Sequence, residues 1–416
     1  MTNTKESQEY PEQKGSRFFS SLRNRNFRLL LIGSMLSHIG EEMQMIAVSW
    51  LVMLITNSPV LMGVANVFQG LPRLIFGVIG GVIADRQDRR RLLIIYQTSE
   101  MIIAFIFAFL VLSGEIKFWH VLVLLPLFGF LRSVYQVCRQ TYVFDLVGKH
   151  DLMNAIAVNS SGRNLAAIMG SSLAGILIVA WGVGWCILIN AISYIPILIS
   201  IFMMSPPPDC PKKAAFSPGV LRELGETFIY LKKDTTILLL FLTTFSFVLF
   251  GLQIQIIMPL FAEHVLQVGA SGYGFLVSAM GGGAMCGAVF MAMMGNIKRK
   301  GRYLLLTSFM YGFLLILFSL SSWFYLSLII MFFVGVMQIF TRTINQTLIQ
   351  LLVPHELMGR VLGVHMLDRG FKPLGGFLMG AGASLLGAPL ALSVGAGILM
   401  LVMLSLLFKA PRIAKL

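Results

Sequence analysis

The chain has 416 residues, 57% hydrophobic and 12% charged, with 32 basic against 18 acidic side chains and a net charge of +14. Soluble domains carry roughly 25% charged residues, so this composition, with a mean hydropathy of +0.82, excludes an ordinary soluble fold. The positive balance would suggest nucleic acid in a soluble protein; here it sits in short polar segments between apolar runs and has a topological meaning instead.

A bilayer core about 30 Å thick takes about 20 apolar residues per helix. Backbone groups in lipid must be satisfied internally, which leaves helices or a closed barrel. Barrel strands alternate over about ten residues, whereas runs such as Met101–Leu112 and Leu326–Val336 are continuously apolar. The pattern predicts an all-α membrane protein.

In chain order, residues 1–27 form a polar tail with no apolar leader or small-residue cleavage site. Six helices are expected at 28–55, 61–83, 92–113, 118–140, 153–179 and 183–204, an N-terminal bundle spanning 28–204. A linker follows at 205–235; it opens on Pro206-Pro207-Pro208 and continues as an amphipathic stretch, Leu221–Lys233, expected to lie at the membrane surface. Six more helices are expected at 236–260, 271–294, 303–321, 324–345, 358–384 and 388–408, followed by the tail 409–416.

Basic residues fill alternate loops: Arg86, Arg89, Arg90 and Arg91 in one, Lys298-Arg299-Lys300 in another, with further lysines and arginines in both tails. Four of the intervening loops carry no charge and the other two hold only Glu115 with Lys117, and Glu263, which predicts that both termini are cytoplasmic.

The halves repeat each other. Gly63, Asp85 and Arg89 match Gly274, Asn296 and Lys300 at one offset, and Arg139-Gln140-Thr141 matches Asn345-Gln346-Thr347. The second match places Arg163 on Arg369. Two parallel repeats of six helices make an architecture in which a site forms at the repeat interface.

Ionisable residues fall near the middle of several spans: Glu41, Glu42, Arg73, Glu100, Arg132, Arg163, Asp368, Arg369 and Lys372. Each costs about 2.5–3.5 kcal/mol at the bilayer centre on insertion scales and is a functional-site hypothesis by default. Such groups must face a wet cavity or one another. Neighbours on a helix point about 100° apart, so Glu41 and Glu42 take different roles, with Glu41 expected to face the cavity. Two readings stay open: groups that load and release protons, or static ion pairs holding the bundle. Asp368 and Lys372, spaced i, i+4, could pair with each other. Phe68, Phe128, Tyr135, Phe247 and Phe250 are candidate lining residues for a hydrophobic substrate cavity. Gly77, Gly80, Gly81 and the run Gly281–Gly283 read as close-packing sites.

The run Gly81-Val-Ile-Ala-Asp85-Arg86-Gln-Asp88-Arg89-Arg90-Arg91 resembles the loop signature of the major facilitator superfamily, with Asp88 where a glycine is usual. Thr56-Asn57-Ser58-Pro59, Leu71-Pro72 and Leu352-Val353-Pro354-His355-Glu356-Leu357 resemble its bacterial exporter branch, which includes the enterobactin exporter and macrolide efflux proteins. The resemblance covers essentially the whole chain. It implies the major facilitator fold of twelve transmembrane helices in two six-helix repeats, in a bacterial inner membrane. It also implies a conformational latch built from Gly81, Asp85, Arg86 and Arg89, with Asp145 as the acid that Arg89 meets. Arg132 within Gly129-Phe-Leu-Arg132 partly resembles the fourth-helix arginine motif of proton-coupled facilitators.

The expected function is secondary active transport by a monomer: proton-coupled export of an amphipathic small molecule such as a drug, macrolide or siderophore. Lysophospholipid or metabolite uptake on the same fold is the alternative, and a non-transporting sensor a distant one. No phosphate-cradling loop is present, which argues against ATP as the energy source. Four cysteines and six histidines are dispersed without metal-ligand or triad spacing, so no cofactor, metal or enzymatic activity is expected.

Overall fold

Apolar runs cut by short polar or glycine-bearing turns fold into a bundle of helices. The computed structural model describes residues 21–86, 88–204, 235–294, 299–352 and 368–409. These residues form twelve helices: α1 (Arg25–Thr56), α2 (Pro59–Arg86), α3 (Arg89–Leu112), α4 (Phe118–Gly148), α5 (Asn154–Trp181), α6 (Val183–Met203), α7 (Thr236–Val265), α8 (Gly269–Met294), α9 (Lys300–Leu320), α10 (Phe324–Leu352), α11 (Asp368–Leu386) and α12 (Ala388–Lys409). Ten of them are long and apolar enough to cross a membrane. The surface helix expected within the linker lies outside the described residues, as does the motif beginning at Val353.

Local chemistry sets the ends. Asn24 caps α1 by accepting from the Phe27 amide at 3.1 Å, and its own side-chain amide donates to the Leu146 carbonyl at 2.6 Å. Asp88 caps α3, accepting from the amides of Arg90 and Arg91 at 2.9 and 3.4 Å. An N-cap of this kind contributes about 1 kcal/mol, which explains an acid at this point of the basic loop. The fourth span runs on to residue 148 instead of ending near 140. Gly148, at φ +66°, turns the chain into the next helix, a conformation that glycine adopts without steric cost.

Helices α1–α6 pack as one half and α7–α12 as the other, joined through α2 against α11 and α5 against α8. Glycine permits both approaches: a Cβ at Gly63 would lie 3.0 Å from the Gly376 carbonyl, and one at Gly175 would lie 3.0 Å from the Gly274 Cα. Ser172 donates to Ser278 at 2.7 Å across the α5–α8 contact. Trp50 of α1 stacks on Tyr273 of α8 with centroids 6.1 Å apart, and His264 faces Asn57 at 3.2 Å. All these contacts lie in the part of the bundle away from the chain termini.

Close packing also shapes the C-terminal half. A Cβ at Gly283 of α8 would meet the Phe332 carbonyl of α10, and one at Gly335 would meet the Met280 carbonyl. Gly281 approaches Ile168 of the other half, whereas Gly282 has nothing within 4 Å. The expected glycine run thus resolves into one tight position, one looser one and one open one.

Helix α7 is irregular in a way that hydropathy does not signal. It holds two π-helical turns, Phe247–Gly251 and Phe261–Val265. Such turns leave carbonyls misaligned. Tyr311 donates to the Gly251 carbonyl at 3.0 Å, and the Gln253 side chain donates to the Val248 carbonyl at 2.5 Å.

Candidate functional site

Glu41 sits at the middle of α1, about 24 Å from the start of the helix at about 1.5 Å per residue. Its Oε2 accepts from Arg132 Nη2 at 2.5 Å. Arg132 lies midway along α4, so the pair joins two helices at the depth where an isolated charge is most costly. The Glu41 side chain is 5% exposed and that of Arg132 is 35% exposed. The acid is therefore enclosed, while the Arg132 side chain is only partly buried.

His38, one turn before Glu41, places Nδ1 3.2 Å from the same Oε2. Arg139, two turns along α4 from Arg132, donates to Ser34 at 2.9 Å and to Asn159 of α5 at 2.5 Å. Glu100 of α3 is buried at 2% exposure and acts electrostatically on Arg132, Tyr135 and Tyr194. One turn after Glu41 along α1, Asn190 of α6 donates to Gln44 at 2.5 Å, and one turn before it Gln97 of α3 donates to Ser37 at 3.5 Å. Serine, histidine, glutamate and glutamine at positions 34, 37, 38, 41 and 44 of α1 recur at intervals of three and four residues. They therefore line one face of the helix, and α3, α4, α5 and α6 complete a polar column around it.

The C-terminal half shows no such buried charge among its described residues. Among its described residues the buried polar side chains are all neutral: Thr243, Thr244, Ser246, Gln253, Thr307, Ser308, Ser319, Ser321, Ser327, Thr341 and Asn345. Asn345 donates to Thr244 and Thr243 of α7 at 2.6 and 3.2 Å. It ties α10 to α7 as its repeat partner Arg139 ties α4 to α1. The repeat thus preserves the link and changes its charge. Lys372 of α11 donates to Gln255 of α7 at 3.3 Å.

Arg89 pairs with Asp145, joining the start of α3 to the end of α4, and Arg90 donates to the Phe202 carbonyl at 3.0 Å. Both members of the Arg89–Asp145 pair belong to the N-terminal half, so the pair moves with that half and cannot by itself hold the two halves together. The side chains of Arg73, Asp85, Arg86, Asp368 and Arg369, and the surroundings of Gly81, lie outside the described residues. Glu42 packs its Cβ near Gly170 of α5, on a different face from Glu41. Arg163 is exposed on α5.

Of the aromatic candidates, Tyr135 is buried within electrostatic reach of Glu41, Arg132 and Arg139. Phe128 and Phe247 are enclosed in apolar packing, Phe247 with its ring centroid 4.7 Å from that of Tyr311. Phe68 is 41% exposed, and Phe250 is half-buried against the apolar core. Sequence reasoning set His38 aside as one of six dispersed histidines. Its i, i+3 spacing from Glu41 was the available signal. Asn190 and Gln44, far apart in sequence, gave none.

A charged, enclosed column in one half of a two-fold helical repeat is the arrangement of a carrier. Residues 16–415 match the family model described as transmembrane secretion effector. The chain belongs to that family, a branch of the major facilitator superfamily. It is a multi-pass membrane transporter, not an enzyme. It is 25% identical over 362 residues to the staphyloferrin A transporter of Staphylococcus aureus, covering 85% of this chain and 88% of that protein. It is 24% identical over 347 residues to the enterobactin exporter of Shigella boydii, covering 81% and 80%. Macrolide efflux protein A of Streptococcus pyogenes is 22% identical over 347 residues, covering 81% and 84%. The crystal structure of the nucleoside transporter NupG superposes with a TM-score of 0.72 at 13% identity, covering 92% of this chain and 98% of that one. That likeness establishes the fold.

Proposed function

We propose that the chain is a proton-coupled exporter of an amphipathic small molecule. It acts as a monomer in the bacterial cytoplasmic membrane, with both termini in the cytoplasm. The observation that carries this reading is the Glu41–Arg132 pair, enclosed at mid-depth in a half whose repeat partner holds no buried charge among its described residues. A carboxylate held by one mobile cation can exchange that partner for a proton as access alternates. The cargo class is carried over from relatives named for staphyloferrin A, enterobactin and macrolides. These call for a cavity that tolerates large, partly apolar bodies, which exposed aromatic and methionine side chains would suit.

In this reading the described inter-half contacts close the outer end. The latch is completed across the halves through Asp85, while Arg89 and Asp145 brace it within one half.

Accumulation of radiolabelled erythromycin and of a citrate-based siderophore, in cells lacking their own exporters, tests the direction. Expression should lower accumulation of at least one of them severalfold, and a protonophore should restore it. Raised accumulation on expression would establish uptake instead.

A further inference from the structure

One oxygen of the Glu41 carboxylate is shared by two donors, and this sharing fixes the state of the histidine. Oε2 accepts from Arg132 at 2.5 Å and faces His38 Nδ1 at 3.2 Å. A carboxylate paired with a guanidinium is ionised and can only accept. The proton between it and His38 therefore sits on Nδ1, and the neutral ring is left with a bare lone pair on Nε2. Nε2 is fully shielded and has no hydrogen-bond partner among the described residues. A buried acceptor left in this way costs about 1–3 kcal/mol, and structural packing alone gives no reason to keep it.

The charged groups around the ring are Glu41 on its own helix and Arg132 and Arg139 on α4. Glu100 of α3 and Glu42 of α1 act on Arg132 from farther out, and Tyr135 of α4 and Tyr194 of α6 close the same volume. With two guanidiniums and one adjacent carboxylate, a third positive charge fits only when Arg132 gives up its hold on Glu41. Arg132, with its side chain 35% exposed against 5% for Glu41 and 13% for His38, is the least enclosed of the three, and so the one able to turn away.

We propose that His38 is a proton-binding group of this carrier, which accepts a proton at Nε2 and, as an imidazolium, competes with Arg132 for the Glu41 carboxylate. The proton comes from water, no covalent bond in the protein breaks, and the charge added to the ring is balanced by Glu41 as Arg132 turns away. Proton loading thereby becomes movement of a cation on α4. The enclosure of Nε2 means that loading belongs to the opposite conformation. The inference rests on the Glu41–Arg132 pair being the coupling site.

The test is nitrogen-15 NMR of the full chain in lipid nanodiscs, with the other five histidines replaced by glutamine so that His38 alone reports. The ring should be the Nδ1-protonated tautomer at high pH and should gain its second proton, at Nε2, as the pH is lowered. In Arg132→Leu, which removes the competitor, the midpoint should rise by about one pH unit, a tenfold gain in proton affinity. An Nε2-protonated tautomer, a ring that never titrates, or a midpoint unchanged in Arg132→Leu would overturn it. Should the five-fold replacement fail to fold, the same signals are assigned in the otherwise native chain by their loss in His38→Gln. If His38 titrates as expected but Glu41→Gln still couples transport to protons, the coupling reading falls and the histidine's protonation stands. If Glu41→Gln uncouples and His38 does not titrate, this inference alone falls.

Discussion

Arg132→Leu is expected to destabilise the folded protein by about 3–5 kcal/mol, the loss typical of removing one member of a buried ion pair. The reason is asymmetry within the pair. Glu41 is 5% exposed, whereas Arg132 is 35% exposed. Removing the arginine strands a buried carboxylate with His38 as its one remaining direct partner among the described contacts and Arg139 acting on it through space. Removing the acid leaves a guanidinium on a long, only partly buried side chain. Glu41→Gln alone should therefore cost less than Arg132→Leu. The double variant, with neither charge, should recover more than half of the loss. Denaturation of the purified protein in detergent measures all three. Strictly additive losses would mean that the two side chains do not act as a pair.

Gly283→Ala should be the most damaging alanine substitution among the glycines of α8, at about 3 kcal/mol, the upper end for overpacking. The added methyl would land on the Phe332 carbonyl, a backbone atom that cannot turn aside, so α8 and α10 would have to separate along their length. Gly335→Ala, facing the Met280 carbonyl from the other helix, should behave alike. Gly282→Ala is the internal control: with nothing within 4 Å it should be neutral or stabilise by up to about 1 kcal/mol through helix propensity. Thermal unfolding of the three variants ranks them. Equal losses at positions 282 and 283 would contradict the packing described.

The legible parts of this protein were those written in local chemistry. Apolar length located the helices, because lipid admits no other backbone solution for such runs. The repeat matched Arg139 to Asn345, and both join equivalent helices, α4 to α1 and α10 to α7. Arg89 and Asp145 could be proposed as partners from the resemblance of the basic loop to a known signature, and the two side chains pair. Asp88 looked like a departure from a loop signature and proved to be the N-cap of α3. The helix ends were less legible: α4 continues past residue 140 to Gly148, where Asp145 finds its partner in Arg89, which hydropathy cannot weigh.

Tertiary facts were hidden. The first π turn of α7 relies on Tyr311, sixty residues away, to satisfy the Gly251 carbonyl. Nothing in a lone histidine announces that its neighbour's carboxylate is already claimed by Arg132. The aromatic candidates show the same limit from the other side. Phe247 and Phe250 occupy one π turn, yet the first is enclosed against Tyr311 and the second half-buried, a difference set by the irregular helix and not by residue type.

Proton movement coupled to cargo is the property on which the whole account depends. Proteoliposomes carrying an imposed pH gradient, loaded with a cargo found by the accumulation assay, measure it in one experiment. The wild type should move cargo against its concentration gradient at the expense of the pH gradient. Glu41→Gln should lose that uphill movement and its pH dependence while still exchanging cargo downhill. Uphill transport by Glu41→Gln with the wild-type pH dependence would show that the Glu41–Arg132 pair only holds the helices together.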